Sequence, residues 1–180
     1  MSSKTFNKKD FNSDSGMMTS VWGPSMWHCL HTMSFNYPIK PDKKTKEQYY
    51  KYILALNHVL PCRYCRENYK NNLKKVKFSR RVLKNRNTFS KFIYNLHEEV
   101  NNMLGKQSNL SYDEVRTRYE HFRSRCLKDD KPSNSIENGC INAFYGKKSK
   151  CILQIVPKES KKKTFHMSPK CKIKKLYGGK

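Results

Sequence analysis

Two cysteines three positions apart, Cys62 and Cys65 in the stretch "VLPCRYCRENY", are the residues of this 180-residue chain best placed to do chemistry. Such a pair can hold a metal, form a structural staple or exchange electrons. A helix opening after Pro61 would set both at its first turn, where free backbone N–H groups and the helix dipole favour a thiolate. Arg63 and Arg66 add positive charge nearby. Those conditions suit a pair that forms and reopens a disulfide by thiol exchange. Zinc is the competing reading, with His58 and His31 joining the two cysteines in a tetrahedral site. Four-ligand sites usually bring a second closely spaced pair, and none is evident. From the motif alone redox and zinc stand level, with a structural disulfide behind both.

Other residues separate the two. Trp27 and His31 are four apart, as are His97 and Asn101, so each pair would share one side of its helix. Lys106 follows closely. Taken singly, Trp27 is a core residue and each histidine a satisfied polar one. Taken together with a C-x-x-C, they read as the wall of a pocket for a planar, phosphate-bearing cofactor.

The elements that would position these residues are helices. "SVWGPSMWHCLHTMSF" has Pro24 near a helix start and places Trp27, Leu30, His31 and Ser34 on one side. "KTKEQYYKYILALNHVL" puts Tyr49, Tyr52, Ile53, Leu56 and Leu60 at helical spacing and ends at Pro61. A short helix from about 62 to 74 follows. "TFSKFIYNLHEEVNNMLGK" carries the stripe Phe89, Phe92, Ile93, Leu96, Val100 and Leu104, with Thr88 as a cap and Gly105 as its stop. "SYDEVRTRYEHFRSRC" opens with a capping-box spacing, Ser111 to Glu114, and sets Tyr112, Val115, Tyr119 and Phe122 on one face. Five helices and no convincing strand predict an all-α domain. A helix before the C-x-x-C disfavours a thioredoxin-like fold, which places that motif after a strand.

Lys and Arg number 38 against 14 Asp and Glu, a formal charge of +24, and hydrophobic residues make up 36%. A core spread over the whole chain would be thin, so the pattern predicts a compact domain over 19–126. A disordered lead over 1–18 precedes it, and a Lys-rich C-terminal extension over 127–180 follows. The runs "KKSK", "KESKKK" and "KCKIKK" in that extension suit nonspecific contact with a polyanion. A basic nucleic-acid-binding protein with a zinc-stabilised helical core is therefore the alternative to a redox enzyme. No apolar run reaches membrane-spanning length, and the polar N-terminus has no secretory h-region. The chain is expected on the cytosolic side, where a C-x-x-C is more often catalytic or metal-binding than structural.

At this point the sequence resembles a family. "WGPSMWHCLHTMSFNYP", "LPCRYC" and "LHEEVNNMLGK" stand in the order and approximate spacing of the Erv/ALR flavin-linked sulfhydryl oxidases, over roughly residues 20–125. The closing "SYDEVRTRYEHF" is most similar to the compact members of large cytoplasmic DNA viruses. The resemblance implies a four-helix bundle plus a short fifth helix, FAD held inside the bundle, and a homodimer. It implies that Cys65 lies against the flavin and that Cys62 exchanges with a dithiol substrate protein of thioredoxin-like kind, dioxygen being the final acceptor. Trp27, His31, His97, Asn101 and Lys106 match the positions that contact FAD, Gly23 matches a backbone contact, and Tyr119 a late aromatic on the adenine side. Departures exist as well. Residue 98 is Glu where the family has Asn, and residue 107 is Gln where Pro is common. Ser111 stands near where the first cysteine of a long-range disulfide to Cys126 would be, so that bridge is expected to be absent. Cys140, Cys151 and Cys171 are candidates for a shuttle, though none is paired at motif spacing.

Overall fold

The computed structural model describes residues 7–14, 16–125, 139–152, 154–157, 159–161 and 167–172. The chain falls into two compact units, 1–109 and 110–180. In the first, α1 (Lys8–Phe11), α2 (Thr19–Asn36), α3 (Lys43–Val59), α4 (Arg63–Lys75) and α5 (Arg86–Met103) follow one another, with a 3-10 turn at Arg80–Leu83 before α5. Helix α2 packs on α5, α3 on α4, and α4 on α5. These four make the predicted bundle. In the second unit, α6 (Tyr112–Glu120) supplies the short fifth helix.

The apolar stripes become the core as their spacing requires. Ile53, Ile93 and Leu96 have no exposed surface, and Leu30, Leu56, Phe89 and Phe92 are buried around them. Each such side chain contributes about 1.5–3 kcal/mol by leaving water. Two buried phenols tie the layers together: Tyr69 donates to the Ile53 carbonyl at 3.0 Å, and Tyr37 to the Leu83 carbonyl at 3.0 Å. At the far end of α5 the stripe runs out, and Leu104 is 55% exposed.

Local differences from the expected elements have physical reasons. Helix α2 begins five residues before Pro24, where Met17 is hydrogen-bonded to the Pro61 carbonyl and the Met18 carbonyl accepts the first bonds of the helix. The cap of α5 is Asn85 rather than Thr88. Asn85 Oδ1 accepts from the Thr88 N–H at 3.0 Å, and Thr88 Oγ1 accepts from the Asn85 N–H at 3.1 Å, so Thr88 is the third-position partner of a capping box. Ser111 and Glu114 form the predicted capping box on α6. The segment read as a disordered lead carries α1, itself closed by an Asn7–Asp10 capping box.

In the second unit, β1 (Ser124–Arg125) and β2 (Asn142–Ala143) pair antiparallel, Ser124 opposite Ala143. The Arg125 guanidinium lies 4.6 Å over the Phe144 ring. Part of the basic extension is thus paired as a short strand, which the sequence reading of an all-α chain did not include. Cys140 is disulfide-bonded, while Cys151 and Cys171 are free thiols. Cys126 lies outside the described residues. Among those described, no helix is long and apolar enough to cross a membrane.

Candidate functional site

Cys62 is the N-cap of α4. Its extended backbone (φ −151°, ψ 119°) turns the chain into the helix, and its sulfur accepts the Cys65 N–H at 3.2 Å. Pro61 ends α3 and cannot donate a hydrogen bond, so the short α3–α4 connection needs other ties. The Cys62 N–H donates to the Leu60 carbonyl at 2.8 Å, and Arg66 Nη1 donates to the same oxygen at 2.6 Å. Both cysteines are half-buried, and Cys65 packs on the apolar core.

Electrostatics here differ from the sequence expectation for Cys65. Burial pushes its thiol up to about 12, and the hydrogen bond and charge of neighbouring Cys62 act in the same direction. Its own backbone hydrogen bond and Arg66 oppose this without overcoming it. The helix terminus is therefore spent on capping through Cys62 and does not make Cys65 a ready thiolate.

Trp27 and His31 on α2 meet His97 on α5. The Trp27 and His97 rings stack at 4.1 Å and 8°. His31 Nε2 and His97 Nδ1 share a hydrogen bond at 3.0 Å. Burial lowers the proton affinity of both imidazoles, His31 to about 3 and His97 to about 4, so the pair is neutral near pH 7. Lys106 depresses His97 further and Glu98 offsets part of that.

One turn on, Asn101 and Lys106 are joined through the end of α5. Gly105 takes φ +65°, its N–H reaches the Asn102 carbonyl at 3.1 Å, and the Lys106 N–H reaches the Asn101 carbonyl at 2.8 Å. That double bond pattern is a Schellman stop, and it fixes Lys106 relative to Asn101. Glu98, noted in the sequence only as a departure, accepts from Asn101 Nδ2 at 3.0 Å and from Ser108 Oγ at 2.9 Å. Its spacing of three from Asn101 was the available signal. Gly23 lies on α2 one turn before Trp27, and no atom stands within 4 Å of where its Cβ would be. Tyr119 belongs to the second unit, half-buried and edge-on to Phe122 at 5.8 Å, its phenol pKa raised by burial.

Flat ring faces, imidazole and carboxamide edges and one exposed ammonium make a donor set that fits a planar heteroaromatic group bearing phosphates. Zinc has no comparable support. His31 is buried and His58 exposed, and among the described residues no group of three or more His, Cys, Asp or Glu could hold a metal ion. A shallow cleft bounded by Lys43, Lys46, Glu47 and Arg80 shares no residue with the site.

The model of the Erv1 / Alr family matches residues 24–120, which include the cysteine pair, Trp27, His31, His97, Asn101 and Lys106 but not Gly23. The chain belongs to the Erv1/Alr family. Among curated members, it is 35% identical over 99 residues to a probable FAD-linked sulfhydryl oxidase of Acanthamoeba polyphaga mimivirus, covering 55% of this chain and 68% of that one. It is 31% identical to the FAD-linked sulfhydryl oxidase of an African swine fever virus isolate, covering 80% of that protein. The fold agrees with the crystal structure of the yeast Erv1 core at a TM-score of 0.52 and 19% identity, over 66% of this chain and 92% of that one. A structure of the FAD binding domain of Erv1 from Saccharomyces cerevisiae matches at the same TM-score. The Erv1/Alr bundle is thus the scaffold that carries the ring stack on α2 and α5 and the cysteine pair at the start of α4.

Proposed function

We propose that this Erv1/Alr chain is an FAD-dependent thiol oxidase that makes disulfide bonds in substrate proteins through Cys62 and Cys65. The observation that carries the reading is the convergence of two features on one core. Cys65 and Trp27 both pack against the buried cluster of the bundle. His31 and His97 are held neutral beside Trp27, which suits contact with an uncharged flat ring. Trp27, His31, His97, Asn101 and Lys106 would hold the cofactor.

In the oxidised pair, a substrate thiolate attacks Cys62 Sγ and the Cys62–Cys65 bond breaks. A mixed disulfide forms at Cys62, and Cys65 leaves with the electron pair. The substrate's second thiol then attacks its own sulfur in the mixed disulfide, releasing Cys62 and leaving the substrate oxidised by two electrons. Cys65, with its raised pKa, takes up a proton when it leaves, and Arg66 beside it eases return to the thiolate. Bound FAD supplies the two-electron acceptor that delivers the pair to dioxygen as hydrogen peroxide. The expected protein substrate is a thioredoxin-like dithiol, the working form a homodimer, and the location the cytosolic side. Contact of the Lys-rich extension with polyanions would be an accessory property.

The deciding test is an absorption spectrum of the purified chain with oxygen uptake on reduced dithiothreitol. About one flavin per chain and peroxide formed in step with oxygen consumed support the reading. A colourless protein that consumes no oxygen after incubation with FAD refutes it.

A further inference from the structure

The segment before α2 does not stand clear of the cysteine pair. The Met17 N–H donates to the Pro61 carbonyl at 2.8 Å, and the Met17 carbonyl accepts from Trp22 Nε1 at 3.1 Å. Met17 is thereby tied through both of its backbone polar groups, to the residue before Cys62 and to the first turn of α2. Gly16 makes the approach possible. It takes φ +72°, and a Cβ there would stand 3.0 Å from the Pro61 carbonyl oxygen and 3.4 Å from Cys62 Cα. A side chain would be strained by the backbone and would press on the Pro61 carbonyl, the group that holds the strap beside Cys62.

This strap leaves its side chains outside. Met17 and Met18 are 69% and 70% exposed, and Val59 and Tyr64, close to Cys62 in the chain, are 66% and 71% exposed. Four large exposed apolar groups therefore belong to the segments that flank Cys62 in the chain and to the strap bonded to Pro61. Methionine suits such a rim, because its flexible, polarizable side chain adapts to varied partners. A sulfur attacking Cys62 must come within bonding distance of it. A protein bearing that sulfur must then cover the rim, whereas a small dithiol need not.

We infer that the strap Gly16–Met18 is a specificity-determining element, and that Met17 and Met18, with Val59 and Tyr64, dock an apolar surface beside the reactive cysteine of a dithiol protein. The inference rests on the thiol-oxidase reading. The strap changes no step of the exchange: the bonds formed and broken at Cys62 are the same, and only the approach of the attacking sulfur is selected.

The test compares kcat/KM for reduced thioredoxin with kcat/KM for dithiothreitol in the full chain, in Gly16→Val, and in Met17→Asp/Met18→Asp, with flavin content and elution volume recorded for each. The expected result is a ratio that falls at least tenfold in both variants. An unmoved ratio in the aspartate pair overturns the inference, whatever Gly16→Val does. So does a shift of that variant to a smaller oligomer, which would make the rim a face between copies of the chain. A native chain that binds no flavin and oxidises neither dithiol fails earlier, and refutes the oxidase reading itself.

Discussion

His31 Nε2 and His97 Nδ1 are 3.0 Å apart, a hydrogen bond between two neutral imidazoles that joins α2 to α5 across the bundle. One ring must donate and the other accept. Protonating both would set two N–H groups against each other in a buried place, and the environment opposes it. Both proton affinities are lowered from 6.5, to about 3 and about 4, with burial the leading cause. Between those values and 6.5 the unfolded chain binds more protons than the folded one. Stability from the neutral pair is therefore complete above about pH 6.5 and is lost as pH falls through about 4 and then 3. The slope is at most about 1.4 kcal/mol per pH unit for each histidine. Urea unfolding should give a midpoint that is flat from pH 8 to 7 and falls from pH 6 to 4. His97→Phe should flatten that fall; an identical slope in the variant would assign the loss to other groups.

The two cysteines should fail differently when replaced. Cys65→Ser leaves the ring stack and Lys106 untouched, so the protein should keep its flavin while losing turnover by at least about a hundredfold. Cys62→Ser should also lose turnover with protein dithiols. In the reduced protein, burial and Cys62 keep Cys65 protonated, so it should be the slowest of the free thiols to react with iodoacetamide at pH 8. Mass mapping of alkylated peptides would check this. Rapid labelling of Cys65 ahead of exposed Cys151 would contradict the burial account.

Much of the bundle was legible because helical periodicity and burial express the same fact. Ile53, Leu56, Phe92, Ile93 and Leu96 recur at three and four, and all five are buried. Pairs spaced by four, Trp27 with His31 and His97 with Asn101, likewise told which side of each helix they share. Features set by contacts across the chain were not legible. The strap at Gly16 depends on a carbonyl 45 residues away, and polar composition gave no hint of it. The turn at Arg80–Leu83 is a short basic stretch whose single buried residue, Leu83, leaves no period to read. The direction of the Cys65 shift failed for a related reason. A helix terminus is visible in sequence, but the burial that outweighs it comes from packing.

Truncating Ile93 to Ala should cost about 2–5 kcal/mol, since a fully buried β-branched residue leaves a cavity on a rigid helix that the neighbours cannot fill. Leu104→Ala, on the same sequence stripe but 55% exposed, should cost well under 1 kcal/mol. Denaturant melts of the two variants would check the contrast. Equal costs would mean that α5 is packed along its whole length, contrary to the observed burial.

Glu98 offers a sharper test of the end of α5 that is proposed to hold the cofactor. A carboxylate can only accept, so Glu98 forces the amide nitrogen of Asn101 toward itself and turns the carboxamide oxygen the other way. The Ser108 hydroxyl, bonded to the second carboxylate oxygen, ties down the turn that carries Lys106. Removing both anchors in Glu98→Ala should weaken FAD affinity roughly tenfold, about 1.4 kcal/mol. Glu98→Gln can still accept from Asn101 and donate to Ser108, and should recover most of that loss. Titration of the flavin-stripped protein with FAD, followed by absorbance, would measure both. If Glu98→Gln were as weak as Glu98→Ala, the charge of Glu98 and not its two hydrogen bonds would be what the site requires.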